Sequence, residues 1–507
     1  MASKGVDFYA FVAEGYEIEI RKADAGKKDN PDVQHIHGSG PLRLFSEHYE
    51  LYPKIFPPYY EGKFQFYARK DGKELFERSI RVNTLTGNIE SDDITNIRIP
   101  SIVADNYSLS FGLYDADNTN PSSHQLYATL TPNRSNWMTQ LLAKAKSKNI
   151  SLENLSLSKL FLPGSHDAGM YTDVLLEVSN LANTQRDDIA TQLALGARYF
   201  DFRPGKVTGE FVQFMLEARH NPDVLSNTIA KFLSGAALTL VELLFKSKLN
   251  EIIVYFQSKI SQTSHIHAVI PGESYAGFIK NIVNFLSKEA NKHEIVVINI
   301  ATSGIVTEFE IPNIDKTEIR INGQDMRGKK LKLIEIPTRE QLSDEIASIV
   351  HDAGIKVGNK ASLKKNLQAL INDNERLIIL NEPVSCADTY SDDYESYDSQ
   401  VITHEVKKVL GSSNTNDDLV KLQLQLTATG TKHGYGGIIR ALKGGNKSTS
   451  PLYATKPATD LQSYQLLLNS LDQIKAQQAL VVAQNDFYDN ALTEVAVVIN
   501  EHKLGLK

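Results

Sequence analysis

Apolar and polar residues alternate in short segments along the first quarter of the chain. Residues 16–21 (YEIEIR), 63–68 (KFQFYA) and 107–112 (YSLSFG) each place apolar side chains at every second position. Turn-forming runs such as residues 115–121 (DADNTNP) separate these segments. Alternation bounded by turn residues is typical of half-buried strands. The pattern predicts an antiparallel β-sandwich over residues 1–132, with an accessory role in targeting or in binding a lipid, a glycan or a protein.

A helical pattern follows in residues 133–155. Trp137, Leu141 and Leu142 recur at a spacing that places them on one face of a helix. The position of this segment between two different patterns predicts a helical linker.

From residue 156 to residue 507, apolar runs of strand length alternate with helical patterns. This alternation is typical of repeated βα units, and eight such units predict an α/β fold, a (β/α)₈ TIM-type barrel. A doubly wound open sheet is the alternative. The strand-like runs are residues 159–162, 197–202, 251–257, 294–300, 331–336, 376–380, 421–427 and 479–483, and the helical segments include 187–195, 275–289, 342–352, 362–372 and 461–476.

Composition narrows the functional classes. The chain has 507 residues, an apolar fraction of 41% and a net charge of −7, which indicates an ordinary globular protein and argues against a nucleic-acid partner. The single cysteine, Cys386, excludes an intramolecular disulfide and a cysteine-rich metal site.

The sequence also predicts how the chain meets a membrane. Its N-terminus lacks the basic and apolar regions of a signal peptide, and no apolar run reaches the length of a transmembrane segment. We therefore expect peripheral contact with membranes, and leave open whether the chain is cytoplasmic or exported without a leader.

Ionisable side chains follow the predicted strands of the barrel. A barrel of this type places its catalytic groups at the carboxyl ends of the strands, so these side chains are expected to meet at one mouth. They are His166 and Asp167 after the first strand, Asp201 and Arg203 at the second, His265 and His267 after the third, Glu382 after the sixth and Asp486 after the eighth.

Two imidazoles and a guanidinium suit the cleavage of a phosphodiester by an internal hydroxyl group. One imidazole acts as base, the other as acid, and the arginine stabilises the developing charge. A metal site built on His, Asp and Glu is the competing interpretation, and Arg203 argues against it because a fixed cation takes the role of the metal.

Several of these segments resemble the X-region of phosphatidylinositol-specific phospholipase C. The matching stretches are residues 162–169 (LPGSHDAG), 190–204, 265–272, 294–299 and 481–489 (VVAQNDFYD). The resemblance extends over about residues 156–502 and does not include the N-terminal region.

The resemblance implies a role for each matching residue. His166 removes the proton from the inositol 2-hydroxyl, and His267 protonates the diacylglycerol oxygen as it leaves, which gives a cyclic inositol phosphate. Asp486 orients His166, Asp167 pairs with His267, and Arg203 stabilises the phosphoryl oxygens. A slower second step opens the cyclic product with the two histidine roles reversed.

The second strand indicates whether the reaction needs a metal ion. Its Asp201-Phe202-Arg203 segment resembles the metal-independent bacterial pattern, which implies that no cofactor is required. Asp201 and Glu382 are expected near the substrate, and as spare carboxylates they leave a bound calcium or magnesium ion open.

Other residues leave alternatives open. His265 and His220 compete with His267 for the role of the second histidine. Tyr390 and Tyr394 belong either to the headgroup pocket or to a solvated acidic loop. The fourth strand lacks the lysine that bacterial relatives use near the inositol ring, which leaves the headgroup undecided.

In the N-terminal region, His35 and His37 lie two residues apart and would share one face of a strand, where they could bind one metal ion. Without further ligands nearby in the sequence, solvated histidines are the favoured interpretation.

Three functions follow. The main one is cleavage of a phosphatidylinositol-type lipid at a membrane surface by paired histidines. The first alternative is a phosphodiesterase for glycerophosphodiesters, sphingolipid headgroups or a glycosyl-phosphatidylinositol anchor, with metal assistance left open. The second is an inactive, toxin-like protein that binds a lipid or a glycan.

Overall fold

The protein is described by a computed structural model that covers most of the chain. The described residues are 5–23, 32–50, 52–54, 59–83, 88–91, 100–114, 123–171, 183–219, 249–311, 313, 320–321, 323–396, 398–412, 417–426 and 456–506.

The described N-terminal residues form strands in two sheets. Gly5–Val12 and Ser123–Thr131 pair in parallel, which differs from the antiparallel prediction, and the other pairs in this region are antiparallel. The first sheet has the order Arg43–Glu50, Gly5–Val12, Ser123–Thr131, Ser108–Tyr114, Ile102–Val103. The second has the order Asp32–His37, Tyr16–Ala23, Tyr59–Lys70, Lys73–Asn83, Asn88–Ser91, with Tyr52–Lys54 beside Tyr59–Lys70.

Aromatic side chains pack between strands of the two sheets. The ring centroids of Phe8 and Phe66 are 6.3 Å apart, and those of Phe66 and Phe111 are 4.8 Å apart. These apolar side chains come from the alternating positions that the sequence pattern marks as inward-facing. The assignment of residues 1–132 as a separate sandwich domain remains a prediction.

The helix Trp137–Ser147 packs against the parallel sheet that follows it. Trp137, Leu141 and Leu142 are buried on its inner face, in one apolar cluster with Leu162 and Tyr199 of the sheet. The indole Nε1 of Trp137 donates a hydrogen bond to the carbonyl oxygen of Gly196 over 2.9 Å.

Eight strands of the C-terminal region form one parallel sheet of the barrel type. The first strand, Phe161–Ser165, pairs with both the second, Tyr199–Phe202, and the last, Leu480–Asn485. A doubly wound sheet would not return its last strand to its first, so this pairing excludes the alternative fold. The strand order is Val357–Gly358, Leu377–Leu380, Val296–Ile300, Tyr199–Phe202, Phe161–Ser165, Leu480–Asn485, Leu419–Gln423, Cys386–Asp388.

The described sheet is not closed into a complete barrel. Within the described part of the chain, its edge strands Val357–Gly358 and Cys386–Asp388 do not pair with each other, so the barrel is open on this side. These two edge strands are also short and were not among the predicted runs, because each has fewer than four residues.

Two predicted strands of the barrel are wrong. Residues 249–258, which include the run 251–257, are helical: Ile252 and Phe256 are buried four positions apart while Val254 is 64% exposed. A short apolar run does not distinguish a strand from one turn of a buried helix face. The run 331–336 forms short antiparallel pieces instead, of which Lys330–Lys332 pairs with Glu308–Glu310, and Ile334–Glu335 with Pro204–Val207.

Helices connect the strands, and polar caps define where they begin. The Asp188 side chain accepts a hydrogen bond from Thr191 N, and Thr338 and Gln341 form a capping box. Besides the helical residues 249–258, the described part of the C-terminal region has the helices Ile189–Leu195, Gly209–Ala218, Tyr275–Leu286, Arg339–Asp352, Leu367–Asn372, Gln400–Gly411, Lys456–Asn469, Leu471–Ala476 and Asn490–Lys503.

The remaining strands of this region are Ser264–His267, Ile270–Ser274, Arg320–Ile321 and Gln324–Asp325. Ser264–His267 pairs with Pro204–Val207 and so lies beside the end of the second barrel strand. Among the described residues, none of the helices has the length and apolar character needed to cross a bilayer.

Candidate active site

The pairing of the first and last barrel strands brings the predicted base His166 next to the carboxylate of Asp486. Ser165 pairs with Asn485 across two parallel strands, so the residues that follow them, His166 and Asp486, emerge side by side. His166 Nδ1 lies 2.7 Å from Asp486 Oδ1, and the His166 backbone N donates to the Asn485 carbonyl oxygen over 3.1 Å. The carboxylate thus holds the proton on Nδ1 and leaves Nε2 as the basic nitrogen.

Asp167 lies at the centre of the cluster. It is fully buried and has φ +42°, a left-handed conformation that turns the chain sharply after the strand. Its Oδ1 lies 2.7 Å from Arg203 Nε and 3.1 Å from His265 Nε2. Its Oδ2 lies 3.6 Å from His166 Nε2 and 3.8 Å from His267 Nε2.

The two carboxylate oxygens of Asp167 differ in their hydrogen bonding. Within the part of the chain that the structure describes, Oδ2 is buried and has no hydrogen-bond partner, although two imidazoles face it. Among the described residues, its close neighbours of opposite character are therefore the two imidazoles, at 3.6 Å and 3.8 Å.

Arg203 connects the carboxylates to the base. Its Nε lies 3.1 Å from Asp201 Oδ2 as well as close to Asp167, and its Nη2 lies 2.8 Å from His166 Nε2. The guanidinium therefore points at the basic nitrogen of His166, where it can also bind a phosphoryl oxygen.

The two histidines of the strand Ser264–His267 have different environments. His265 is fully buried, accepts a hydrogen bond at Nδ1 from Arg203 N over 3.3 Å, and lies edge-on to the Phe202 ring. His267 is 26% exposed. Of these two histidines only His267 is accessible to solvent, whereas His265 contacts Asp167 from the buried side. His220, the third alternative, lies outside the described residues.

Ionisation states follow from burial and neighbouring charges. Burial lowers the pKa of His166, but Asp167 and Asp486 outweigh it and raise the pKa above its ordinary value. Burial raises the pKa of Asp167, but Arg203 and the imidazoles outweigh it and hold the pKa well below its usual range. Burial lowers the pKa of His267 to about 4 despite the neighbouring Asp167.

The predicted accessory carboxylates separate in the structure. Asp201 belongs to the cluster through Arg203 and lies 3.5 Å from the amide of Asn299. Glu382 accepts a hydrogen bond from Lys360 N over 2.9 Å, at a different place along the sheet. His166, Asp167 and Asp201 have their ligand atoms close enough to hold a metal ion, but Arg203 contacts all three.

The two predicted tyrosines also have different environments. Tyr394 is fully buried, and its hydroxyl lies 2.9 Å from Thr389 Oγ1 and 3.1 Å from the Gln423 carbonyl oxygen, so its polar atom is bonded inside the protein. Tyr390 is 48% exposed, and its ring centroid lies 5.4 Å from that of Tyr394. Of the pair, only Tyr390 is free to contact a ligand.

Sequence reasoning missed a lysine inside the sheet. Lys421 Nζ lies 2.6 Å from Asp388 Oδ2 on the neighbouring strand, and the lysine is 17% exposed. Burial lowers the pKa of Lys421, but Asp388 and Asp201 raise it overall. Polar residues at positions 421, 423 and 425 in an otherwise apolar run are the signal that could have revealed this inward-facing row.

A second missed group lies behind Asp486. Asn485 Nδ2 donates to Asp460 Oδ1 over 2.6 Å, and the buried Lys456 Nζ lies 2.6 Å from Asp460 Oδ2 and 2.9 Å from Asp489 Oδ2. These contacts fix the end of the last strand immediately before the catalytic candidate Asp486.

Comparisons with known proteins agree with the resemblance in the motifs. No family model matches the chain. A stretch of 115 residues, 22% of this chain, is 30% identical to 1-phosphatidylinositol phosphodiesterase of Staphylococcus aureus strain Newman and corresponds to 32% of that protein. The protein of the same name from strain NCTC 8325 / PS 47 matches equally, over 31% of its length. The chain thus spans about a third of the length of the curated relatives it matches.

Solved structures give weaker alignments over a longer range. A variant of the phosphatidylinositol-specific phospholipase C from Staphylococcus aureus aligns with 72% of this chain and 96% of its own, with 14% identity and a TM-score of 0.38. The enzyme from Listeria monocytogenes aligns with 72% of this chain and 98% of its own, with 14% identity and a TM-score of 0.37. The fold described above rests on the strand order alone. The relatives confirm the resemblance read from the sequence: part of this chain is similar to bacterial 1-phosphatidylinositol phosphodiesterase.

Proposed function

We propose that this chain is a phospholipase C-like phosphodiesterase that cleaves a phosphatidylinositol-type lipid at a membrane surface without a metal ion. The observation that supports this most is a single cluster: His166, Asp167, Arg203 and Asp486 follow the ends of barrel strands, and His267 joins them from the neighbouring strand Ser264–His267. The N-terminal sheets are proposed to bind a lipid, a glycan or a protein.

In the first step, Nε2 of His166 removes the proton from a headgroup hydroxyl, and that oxygen attacks phosphorus. The bond from phosphorus to the diacylglycerol oxygen breaks, and His267 donates a proton to the leaving oxygen. The products are diacylglycerol and a cyclic phosphate. In a second step water opens the ring, with His267 as base and His166 as acid.

Substrate binding completes the protonation states that this step requires. His267 has a pKa of about 4 in the substrate-free protein, so it is mostly neutral at pH 7. A phosphodiester anion beside its ring stabilises the imidazolium ion and raises that pKa. Arg203 binds the same anion and stabilises the additional charge on phosphorus in the transition state.

The headgroup is proposed to lie against the exposed Tyr390 ring and the Asp388–Lys421 pair. Asp388 also accepts a hydrogen bond from Gln423 Nε2 over 3.0 Å, which holds its carboxylate in place. A carboxylate and an ammonium group side by side provide an acceptor and donors for the hydroxyls of a polyol. Lys421 thereby supplies, from a different strand, the cation that is absent after the fourth strand.

One assay distinguishes the proposed function from the metal-assisted phosphodiesterase and from the inactive binding protein. Phosphatidylinositol vesicles are incubated with the protein, and the release of water-soluble phosphate ester is followed with and without EDTA. We expect equal release in both conditions and loss of about 10²- to 10⁴-fold in His166→Ala. Release that stops in EDTA would support the metal-assisted phosphodiesterase, and vesicle binding without release would support the inactive binding protein.

The choice of the acid is tested by replacing each histidine singly. His267→Ala should lose activity while retaining the fold. His265→Ala should instead lower the melting temperature, because it removes a buried partner of Asp167 and of the Arg203 backbone.

A further inference from the structure

Four potential ligand side chains gather on one face of the second N-terminal sheet, far along the chain from the barrel motifs. Glu17 and Glu19 belong to Tyr16–Ala23, and His35 and His37 belong to the adjacent edge strand Asp32–His37. Antiparallel register pairs Glu17 with His37 and Glu19 with His35. Residues two apart on a strand share a face, so both pairs project to the same side.

The imidazoles are oriented towards one carboxylate. His35 Nδ1 lies 2.6 Å from Glu17 Oε1, and His37 Nδ1 lies 3.5 Å from Glu17 Oε2. The two rings are stacked, with centroids 6.0 Å apart and planes inclined by 8°. The Glu17 carboxylate therefore contacts both imidazoles at the surface, one through each of its oxygens.

We propose that Glu17, His35 and His37 bind one Zn²⁺ ion. Zinc bonds to imidazole nitrogen and carboxylate oxygen are about 2.0–2.2 Å long, which places ligand atoms of a tetrahedral site about 3.3 Å apart. The His35 contact with Glu17 Oε1 and the His37 contact with Glu17 Oε2 lie on either side of this value, and the two parallel rings must turn towards each other to bring both nitrogens onto one ion. Two imidazoles favour zinc over calcium or magnesium, which prefer oxygen ligands.

Glu19 is proposed to stay outside the coordination shell. Its carboxylate is buried and bonded to the guanidinium groups of Arg21 and Arg69, although one of its oxygens lies 3.8 Å from His35 Nδ1. A solvent molecule then takes the fourth position. Because the ligands come from two adjacent strands, the ion joins the edge strand Asp32–His37 to the interior of the sheet.

The inference is tested with the full-length protein, using Zn²⁺ alone as the probe. The chain is titrated with zinc in competition with a chromogenic chelator, and the stoichiometry and affinity are compared among variants. His35→Ala, His37→Ala and Glu17→Gln remove one proposed ligand each. His48→Ala is the matched control, because His48 Nδ1 lies 2.7 Å from Asp7 Oδ1 in the other N-terminal sheet but has no second histidine in that contact.

We expect one high-affinity zinc ion per chain, weakened by about tenfold or more in each of the three ligand variants and unchanged in His48→Ala. His166→Ala distinguishes this site from the barrel cluster, and it should bind zinc normally. The proposal is overturned if the wild-type chain binds no zinc, if the three ligand variants bind it as tightly as wild type, or if His166→Ala is the variant that loses it. Calcium should not compete in any variant.

Discussion

Replacement of Asp486 by Asn tests how the base of the proposed reaction is prepared. The change keeps the size of the side chain and removes its charge, at the 2.7 Å contact with His166 Nδ1. A hydrogen bond to a charged group is worth about 1.5–3 kcal/mol, which corresponds to a factor of about 10–150 in rate. The asparagine amide can also turn its NH₂ group towards Nδ1 and so move the imidazole proton to Nε2, where no base remains.

Loss of the charge also weakens the base. Asp167 and Asp486 together raise the pKa of His166 against burial and against Arg203. Without Asp486 this pKa falls, so His166 is neutral down to a lower pH, and the acidic limb of the profile of kcat/KM moves to lower pH. Together, these effects should lower kcat by about 10²- to 10⁴-fold at pH 7.

The assay is the release of soluble phosphate ester from phosphatidylinositol vesicles, measured as kcat and kcat/KM between about pH 4 and pH 9. Asp7→Asn is the matched control, because it removes a His–Asp contact of the same length and the same atoms in the N-terminal sheet. A folded Asp486→Asn protein with kcat within about twofold of wild type and an unmoved acidic limb would refute the assignment of this dyad.

Three further predictions follow from the structure. His267→Ala should lower kcat by about 10²- to 10⁴-fold with phosphatidylinositol but much less with a substrate whose leaving group is a nitrophenol, because a weakly basic oxygen leaves without a proton; equal losses with both substrates would contradict its role as the acid. Lys421→Met should raise KM for phosphatidylinositol by about tenfold while leaving unaffected a phosphodiester whose headgroup carries the attacking hydroxyl and no other, as measured by initial rates; an unchanged KM for phosphatidylinositol would remove Lys421 from the headgroup pocket. Lys456→Met should destabilise the chain by about 3–5 kcal/mol in urea unfolding, because it leaves Asp460 and Asp489 buried without their cation; a loss below about 1 kcal/mol would show that the ion pairs add little.

The residues that sequence reasoning placed correctly are those whose position depends on strand ends. His166 and Asp486 follow the apolar runs of the first and last barrel strands, and a parallel pairing of those strands is sufficient to bring them together. Two predicted helical segments begin within two residues of the observed helices, Ile189–Leu195 and Tyr275–Leu286, whereas the segments predicted from residues 342, 362 and 461 begin three to five residues away from the observed starts.

Other features depend on contacts that a single sequence does not encode locally. The run 251–257 has the composition of a strand, and only its packing, with Val254 outside and Phe256 inside, makes it helical. His265 and His267 are only two residues apart in sequence, yet His265 is fully buried against Asp167 and His267 is 26% exposed.

The same limit applies to partners that are distant along the chain. Glu17 reaches His35 and His37 through strand register across an intervening segment, so the histidine pair alone gave no reason to expect a third ligand. Lys456 and Asp489 lie at the starts of two different helices. The apolar pattern of each helix does not indicate how the two helices pack against each other.

Phosphorus NMR of the reaction products tests the central claim most directly. Phosphatidylinositol vesicles are treated with the protein in the presence of EDTA, and the spectrum is followed from the first minutes to complete turnover. The paired-histidine reaction predicts a cyclic phosphate resonance that appears first and is later replaced by the resonance of an acyclic monoester. An acyclic monoester formed from the start, with no cyclic phosphate at any time, would contradict attack by the headgroup hydroxyl and with it the roles given to His166 and His267.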